Sequence, residues 1–243
     1  MDEKLALQII LGKYFFAFVG DSRGCARLLR RTRRGGAVPG TRDGRTAVQT
    51  LTVSDWPEVS ATLAAAFVAD PVFCWMLPDA TRRLAALRRY FAIEARHIAL
   101  RHGCSVAVRD ASDPAGVALV FPPDRWRMPT SVLARQAPGY LRVFVRRTPQ
   151  ALGVLASFER RHLRRPHYYV GYIGVVPAAQ GRGYGSTLMQ PIVDRCDAEG
   201  LPAYLEASSP SSAQLYVRFG FASVAQIRPF GAPPIELMVR EPR

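Results

Sequence analysis

The sequence predicts a mixed α/β (α+β) fold. Three observations predict it. Short β-branched segments of alternating polarity interleave with longer segments whose apolar residues keep a helical period. Pairs of strand-like segments follow one another with only a turn between them, as antiparallel neighbours do. A Gly-rich stretch joins a strand-like segment to a helix-like one near residue 180.

Ala47 to Val53 alternates and reads as a strand. Ser54 and Asp55 offer an N-cap, Pro57 and Glu58 suit a first turn, and the helix packs Leu63, Ala66 and Phe67 before Pro71 closes it. A second helix spans Ala80 to His102, with Leu84, Leu87, Phe91, Ala95 and Ile98 as its apolar stripe and its arginines largely off that stripe. Ser105–Arg109 and Gly116–Phe121 are strands, and Asp113-Pro114 suits the turn between them. Residues 129–164 form two helical pieces broken near Thr148-Pro149. Arg160, Arg161, Arg164 and Arg165 cluster at the end of the second piece, where positive charge complements the helix dipole. His167 to Val176 is a strand, Tyr184 to Glu199 a helix that Gly200 caps, and Ala203 to Ala207 the next strand. The stripe Leu188, Met189, Ile192, Val193, Cys196 runs on through Pro191, so the helix continues past that proline. A short helix over 210–218 and strands over Phe221–Arg228 and Ile235–Arg240 complete the chain.

With 49% hydrophobic and 21% charged residues, the 243-residue chain can bury a core, which excludes wholesale disorder. No apolar run is long enough to span a bilayer as a helix. The formal charge is +14, from 33 basic and 19 acidic side chains, and 31 of the basic residues are Arg. Residues 1–45 carry ten basic and four acidic side chains and so supply +6, leaving +8 for residues 46–243. Such an excess suits either contact with nucleic acid or an anionic surface, or simply a solvated Arg-rich face. Cys25, Cys74, Cys104 and Cys196 have neither zinc-knuckle nor redox-pair spacing, which points to free thiols in a reducing, cytoplasmic setting. Asp2 and Glu3 precede the apolar stretch Leu5–Val19, where a signal peptide would be basic. Residues 1–45 therefore read as a disordered extension or a start-site artefact, and residues 46–243 as a single domain.

The stretch from Val175 to Ser186 carries the chemistry. A strand-to-helix turn presents backbone N–H groups at the positive end of a helix dipole, an anion site suited to a pyrophosphate. Glycines let backbone approach such a ligand, and Arg182 adds a positive charge. The spacing is neither G-x-G-x-x-G nor a Walker loop, since no Gly-Lys-Ser/Thr occurs there.

Gln180-x-x-Gly183-x-Gly185, after a strand ending Val175-x-Pro177, resembles the acyl-CoA loop of the GCN5-related N-acetyltransferase (GNAT) superfamily. Tyr204-Leu205-Glu206-Ala207 and Ala213 to Phe221, with its Tyr-x-x-x-Gly-Phe ending, resemble that family's next strand and final helix. The core is most similar to the puromycin N-acetyltransferase-like branch. The resemblance implies a mostly antiparallel central sheet, helices on both faces and a splayed strand pair holding acyl-CoA. It implies transfer of acetyl from acetyl-CoA to a primary amine, by direct attack through a tetrahedral intermediate and without a metal. By position, Ile173, Gly174 and Val175 would offer backbone to the pantetheine, and Gln180, Gly181, Arg182, Gly183, Tyr184, Gly185 and Ser186 would cradle the pyrophosphate.

Tyr216 falls where the family places its general acid, and Glu206 where several relatives place a general base. His167, Tyr168 and Tyr172 are alternative base or substrate-wall residues. The family often has an Asn before the final helix; here the stretch is Ser208 to Ser212, and Ser209 is the candidate for that contact. Trp75, Trp126, Tyr140 and Phe144 are candidates for an aromatic acceptor pocket, with core packing as the alternative. The expected partner is a small-molecule amine, with neither nucleic acid nor a membrane span, as monomer or homodimer. A basic nucleic-acid-binding or regulatory protein on a degenerate acetyltransferase fold, and a protein-amine acetyltransferase, stay open beside it.

Overall fold

The computed structural model describes residues 47–243, so the expectations for residues 1–45 and for Cys25 lie outside the described residues. In chain order the elements are β1 (Val48–Thr50), α1 (Trp56–Phe67), α2 (Pro71–Met76), α3 (Ala80–His97), β2 (Val106–Asp110), β3 (Asp113–Phe121), α4 (Thr130–Phe144), α5 (Thr148–Arg161), β4 (Tyr168–Val175), α6 (Tyr184–Glu199), β5 (Ala203–Ala207), α7 (Pro210–Arg218), β6 (Ala222–Ile227) and β7 (Ile235–Arg240). The strands form one seven-stranded sheet in the order β1-β2-β3-β4-β5-β7-β6. Every neighbouring pair is antiparallel except β4 and β5, which are parallel.

Period-2 alternation sorts the strand residues onto two faces. On one face Leu119, Phe121, Tyr204 and Leu237 pack with Leu63 of α1, Phe73 of α2, Phe91 of α3, Phe144 of α4 and Val154 of α5. On the other, Val120, Val170, Leu205 and Met238 pack with Leu188, Met189 and Ile192 of α6 and Ala213 and Tyr216 of α7. Helices thus cover both faces, as expected. Arg240 of β7, almost fully buried, grips Asp197 of α6 through two 2.7 Å hydrogen bonds and ties the second layer to the sheet.

Four local expectations need correction. Pro71 does not simply end a helix; it opens α2, where its missing N–H costs nothing. Asp70 caps that helix by accepting from the N–H groups of Val72 and Phe73 at 3.0 Å. The second helix stops at His97, and Ala99–His102 continues as a tighter 3-10 turn ending at Gly103, whose φ of 65° suits glycine. Leu84 of the expected stripe is exposed. The Asp113-Pro114 pair begins β3, and the turn itself is Ala111-Ser112.

No helix among the described residues is long and apolar enough to cross a membrane.

Candidate active site

A β-bulge in β4 builds the site. Tyr172 pairs with Leu119 and Val170 with Val120, so Gly171 is an extra residue facing no partner. The insertion flips the alternation. Tyr168 and Val170 face α6, but so do Ile173 and Val175, while Tyr169 and Tyr172 both face the other layer. Glycine is required at the bulge, because a Cβ there would lie 2.6 Å from the Phe121 ring. Strict alternation would have put Tyr169 and Tyr172 on opposite faces.

The same strand splays from its neighbour. β4 pairs with β5 only at Tyr168–Ala203 and Tyr169–Tyr204. Beyond that point Ile173, Gly174 and Val175 pair with β3 alone, leaving their β5-side edge open. Side chains of Ile173 and Val175 pack against the α6 layer, and the bare Cα of Gly174 admits Ala66 and Phe67 of α1. Gln180 folds back and donates from Nε2 to the Val175 carbonyl at 3.0 Å, which clamps the loop to the strand end.

Gly181 and Gly183 have φ of 78° and 85°, in the left-handed region, and a Cβ on either would project into open space. Gly183 is the N-cap of α6 and no side chain caps the helix. The first backbone bond of the helix runs from the Thr187 N–H to the Gly183 carbonyl, so the N–H groups of Tyr184, Gly185 and Ser186 are the uncommitted donors of a 16-residue helix. Arg182 is held in place: it pairs through both terminal guanidinium nitrogens with Asp110 and lies 5.3 Å above the ring of the buried Tyr184. The guanidinium holds the Asp110 carboxyl below its usual range. Gly185 serves packing, since a Cβ there would sit 3.1 Å from Leu215 of α7. Ser209 caps α7 by accepting from the Ser212 N–H at 3.2 Å, so its hydroxyl is already engaged.

Tyr216 of α7 is buried on the α6 side of the sheet. Burial first, and then the charge of Asp70, push its phenol above the usual range, so it stays protonated at neutral pH. Asp70 stands at the start of α2, accepts a hydrogen bond from Ser208, and is itself raised by burial. Asp70 and Ser208 also line a cavity of about 120 Å³ together with Glu206.

Glu206 projects from β5 to the opposite face from Tyr216, beside Tyr204. Its Oε2 accepts from the Tyr169 hydroxyl at 2.8 Å. Its Oε1 is buried without a hydrogen-bond partner, as is the Tyr204 hydroxyl. Burial outweighs the lowering by the Tyr169 hydrogen bond and pushes the carboxyl up to about 7. His162 Nδ1 lies 3.9 Å from Oε1. The His162 ring stacks on Trp126 at 3.7 Å, and its Nε2 lies 3.0 Å from His167 Nε2.

An adjoining cavity of about 150 Å³ shares walls with the first, including Tyr90, Phe144, Tyr169 and Tyr172. Trp126, Tyr140, His162 and Glu94 complete its character. Three of the aromatic candidates, Trp126, Tyr140 and Phe144, therefore line it; Trp75 does not, and instead packs on the core beneath the Arg147 guanidinium. Of the alternative base or wall residues, Tyr172 is in the wall. Tyr168 turns away to donate to Glu199 at 2.8 Å, and His167 is buried behind His162. Sequence reasoning missed Tyr169, Glu94 and Asp70. Glu94 had a signal: it continues the buried stripe of Leu87 and Phe91 on α3, just before Ile98. Among the described residues no group of three or more His, Cys, Asp and Glu is placed to hold a metal ion.

A family model described as the acetyltransferase (GNAT) family matches residues 71–221, which include Glu94, the loop, Glu206 and Tyr216. The chain belongs to this family. An uncharacterized N-acetyltransferase of Schizosaccharomyces pombe is 28% identical over 213 residues, covering 81% of this chain and 83% of that protein. A Corynebacterium glutamicum crystal structure described as histone acetyltransferase HPA2 and related acetyltransferase superposes with a TM-score of 0.63 at 27% identity, over 82% of this chain and 97% of that one. The Drosophila melanogaster polyamine N-acetyltransferase shares the fold, with a TM-score of 0.55 at 16% identity over 81% and 100% of the two chains. Family and relatives together make this GNAT protein an N-acetyltransferase.

Proposed function

We propose that the protein transfers the acetyl group of acetyl-CoA to the primary amine of a small molecule with a largely apolar body. The observation that carries this is Glu206: a buried carboxylate with one unpartnered oxygen, beside an aromatic-walled cavity and across the sheet from Tyr216.

The residues fit the cosubstrate. Uncommitted N–H groups of α6 and the open space beside Gly181 and Gly183 suit a pyrophosphate. The unpaired edge of Ile173–Val175 suits an amide-bearing pantetheine, except that the Val175 carbonyl is already held by Gln180. Arg182 keeps positive charge beside the loop while paired to Asp110. Acetyl-CoA supplies a thioester whose carbonyl carbon takes the amine nitrogen and whose sulfur leaves.

An ammonium has no lone pair, so the acceptor must lose a proton before attack. Glu206, with a carboxyl near neutrality, takes that proton at the unpartnered Oε1, while Tyr169 holds Oε2. Tyr216, protonated throughout the neutral range, hydrogen-bonds the departing sulfur and gives it a proton. Apolar walls strengthen these electrostatic interactions by excluding water. Burial of Glu206 favours a small acceptor over a protein side chain. The Arg cluster has local uses: Arg160 and Arg161 close α5, Arg160 donates to Ser157, and Arg165 pairs with Glu241.

Calorimetry of the full-length protein with acetyl-CoA, followed by turnover across an amine panel, tests the reading. Saturable binding and acetylation of apolar primary amines are expected. Absence of acetyl-CoA binding would refute it.

A further inference from the structure

Glu94 is a buried carboxylate that the acetyl-transfer steps do not use. It sits on α3, lines the aromatic cavity, and accepts a hydrogen bond from the Tyr140 hydroxyl at 2.7 Å. Tyr90 lies one turn before it and shares a 2.5 Å hydroxyl–hydroxyl bond with Tyr172. Its ring packs edge-on against Tyr140 and Phe144 at centroid distances of 6.0 and 5.8 Å. The carboxylate is thus set in a cage of aromatic rings.

That carboxylate has no ion-pair partner among the described residues, in a chain with 31 arginines. The one arginine lining the cavity, Arg127, is exposed, lies over Trp126 and leans toward Glu159 at 4.0 Å. Burying an unpaired carboxylate is costly, and a protein gains nothing in stability from keeping one there. A cation would relieve the cost twice: by Coulomb attraction to Glu94 and by the negative faces of the surrounding rings. Burial raises the Glu94 carboxyl to about 7, so the group is ready to ionise when a cation arrives.

We infer that Glu94 and the rings around it form a subsite for a second cationic group of the acceptor. The acceptor class is then an elongated amine with an apolar middle and an ammonium or guanidinium at the other end. This rests on the reading above, in which the reacting amine sits beside Glu206. The walls fit that span: Tyr90, Tyr169 and Tyr172 border both cavities, and Tyr169 also holds Glu206.

The test uses a graded series of straight-chain α,ω-diamines, each against the monoamine of equal length, titrated calorimetrically into the full-length protein. Diamines of one length range should bind at least about tenfold more tightly than their monoamines, a difference of about 1.4 kcal/mol. Glu94→Gln should erase that preference while leaving acetyl-CoA affinity unchanged, which also reports that the variant folds. Glu94→Asp keeps the charge but withdraws it toward the backbone, and should move the preference to longer diamines. Equal binding of diamine and monoamine at every length would overturn the subsite, as would a preference that survives Glu94→Gln. Diamine-selective binding with no acetylation of any amine would support the subsite and refute the function reading, so the two failures are distinct.

Discussion

His162 Nδ1 lies 3.9 Å from Glu206 Oε1, and the two are not an ion pair. Burial, with the nearby His167 and Arg127, pushes His162 down to about 3, so the ring is neutral. Hydrogen bonding assigns its tautomer. The Arg165 carbonyl can only accept, so His167 Nδ1, at 2.7 Å, carries the proton there. Neutral His167 then accepts at Nε2, and His162 must donate from its own Nε2 at 3.0 Å. What faces Glu206 is therefore the lone pair of His162 Nδ1. A carboxyl that has just taken a proton at Oε1 meets an acceptor, which favours its protonated form.

The pH profile of turnover should report this arrangement. kcat/KM is expected to fall on the acid side with a midpoint near 7, where Glu206 gains its proton. Glu206→Gln should lower kcat by about 10²- to 10⁴-fold with acetyl-CoA affinity unchanged. His162→Phe removes the facing lone pair and should move the midpoint to lower pH. Steady-state kinetics across pH check both, and an unmoved midpoint in His162→Phe would remove His162 from the account.

Glu206 should also cost stability at alkaline pH. Its carboxyl rises from 4.5 to about 7 on folding, so the folded state binds the proton more tightly. The group's contribution is most favourable below about pH 4.5 and declines as pH rises through about 7. The shift corresponds to about 3 kcal/mol at pH 8. Glu206→Gln should therefore gain on the wild type between pH 5 and pH 8 by up to about 3 kcal/mol. Paired urea melts at the two values measure it. The buried neutral His162 acts oppositely, losing stability as pH falls below 6.5, and cancels in the comparison because both proteins contain it.

Tyr216→Phe keeps the ring in its packing beside Phe221 and deletes only the hydroxyl. Turnover should fall about 10²-fold or more while the calorimetric affinity for acetyl-CoA stays within about twofold. Retention of full kcat would assign the departing sulfur's proton to another donor.

Much of this was legible in the chain. β5, α6 and α7 run over the residues expected because caps and period agree there: Gly183 and Gly200 bracket α6, and Ser209-Pro210 opens α7. The loop and Tyr216 were legible as a resemblance. What escaped depends on pairing between distant strands. The Gly171 bulge that brings Tyr169 and Tyr172 to one face is set by register against β3 and has no local mark beyond a glycine. The position of Glu94 on the buried stripe of α3 is a local mark, but its partner Tyr140 comes from α4 and is not. Arg182 was expected to add positive charge to the loop, but its partner Asp110, far away in sequence, has no local mark.

Gly183 should separate the loop's conformation from its packing. At φ 85° a side chain is strained, yet a Cβ there meets nothing within 4 Å, so no packing is lost. Gly183→Val should thus cost about 1–2 kcal/mol of stability through backbone strain, more than a surface change and less than a core cavity. Its larger effect should fall on acetyl-CoA, because the residue caps α6 beside the uncommitted N–H groups of Tyr184 and Gly185. A loss of affinity of at least about 10²-fold is expected, against a thermal midpoint lowered by only a few degrees. Gly185→Ala tests the contrast: its Cβ would press on Leu215 at 3.1 Å, so it should disturb the α6–α7 contact and spare the loop's φ. Calorimetry and thermal melts on the two variants discriminate. Undiminished acetyl-CoA affinity in Gly183→Val would show that the N-terminus of α6 is not where the pyrophosphate binds.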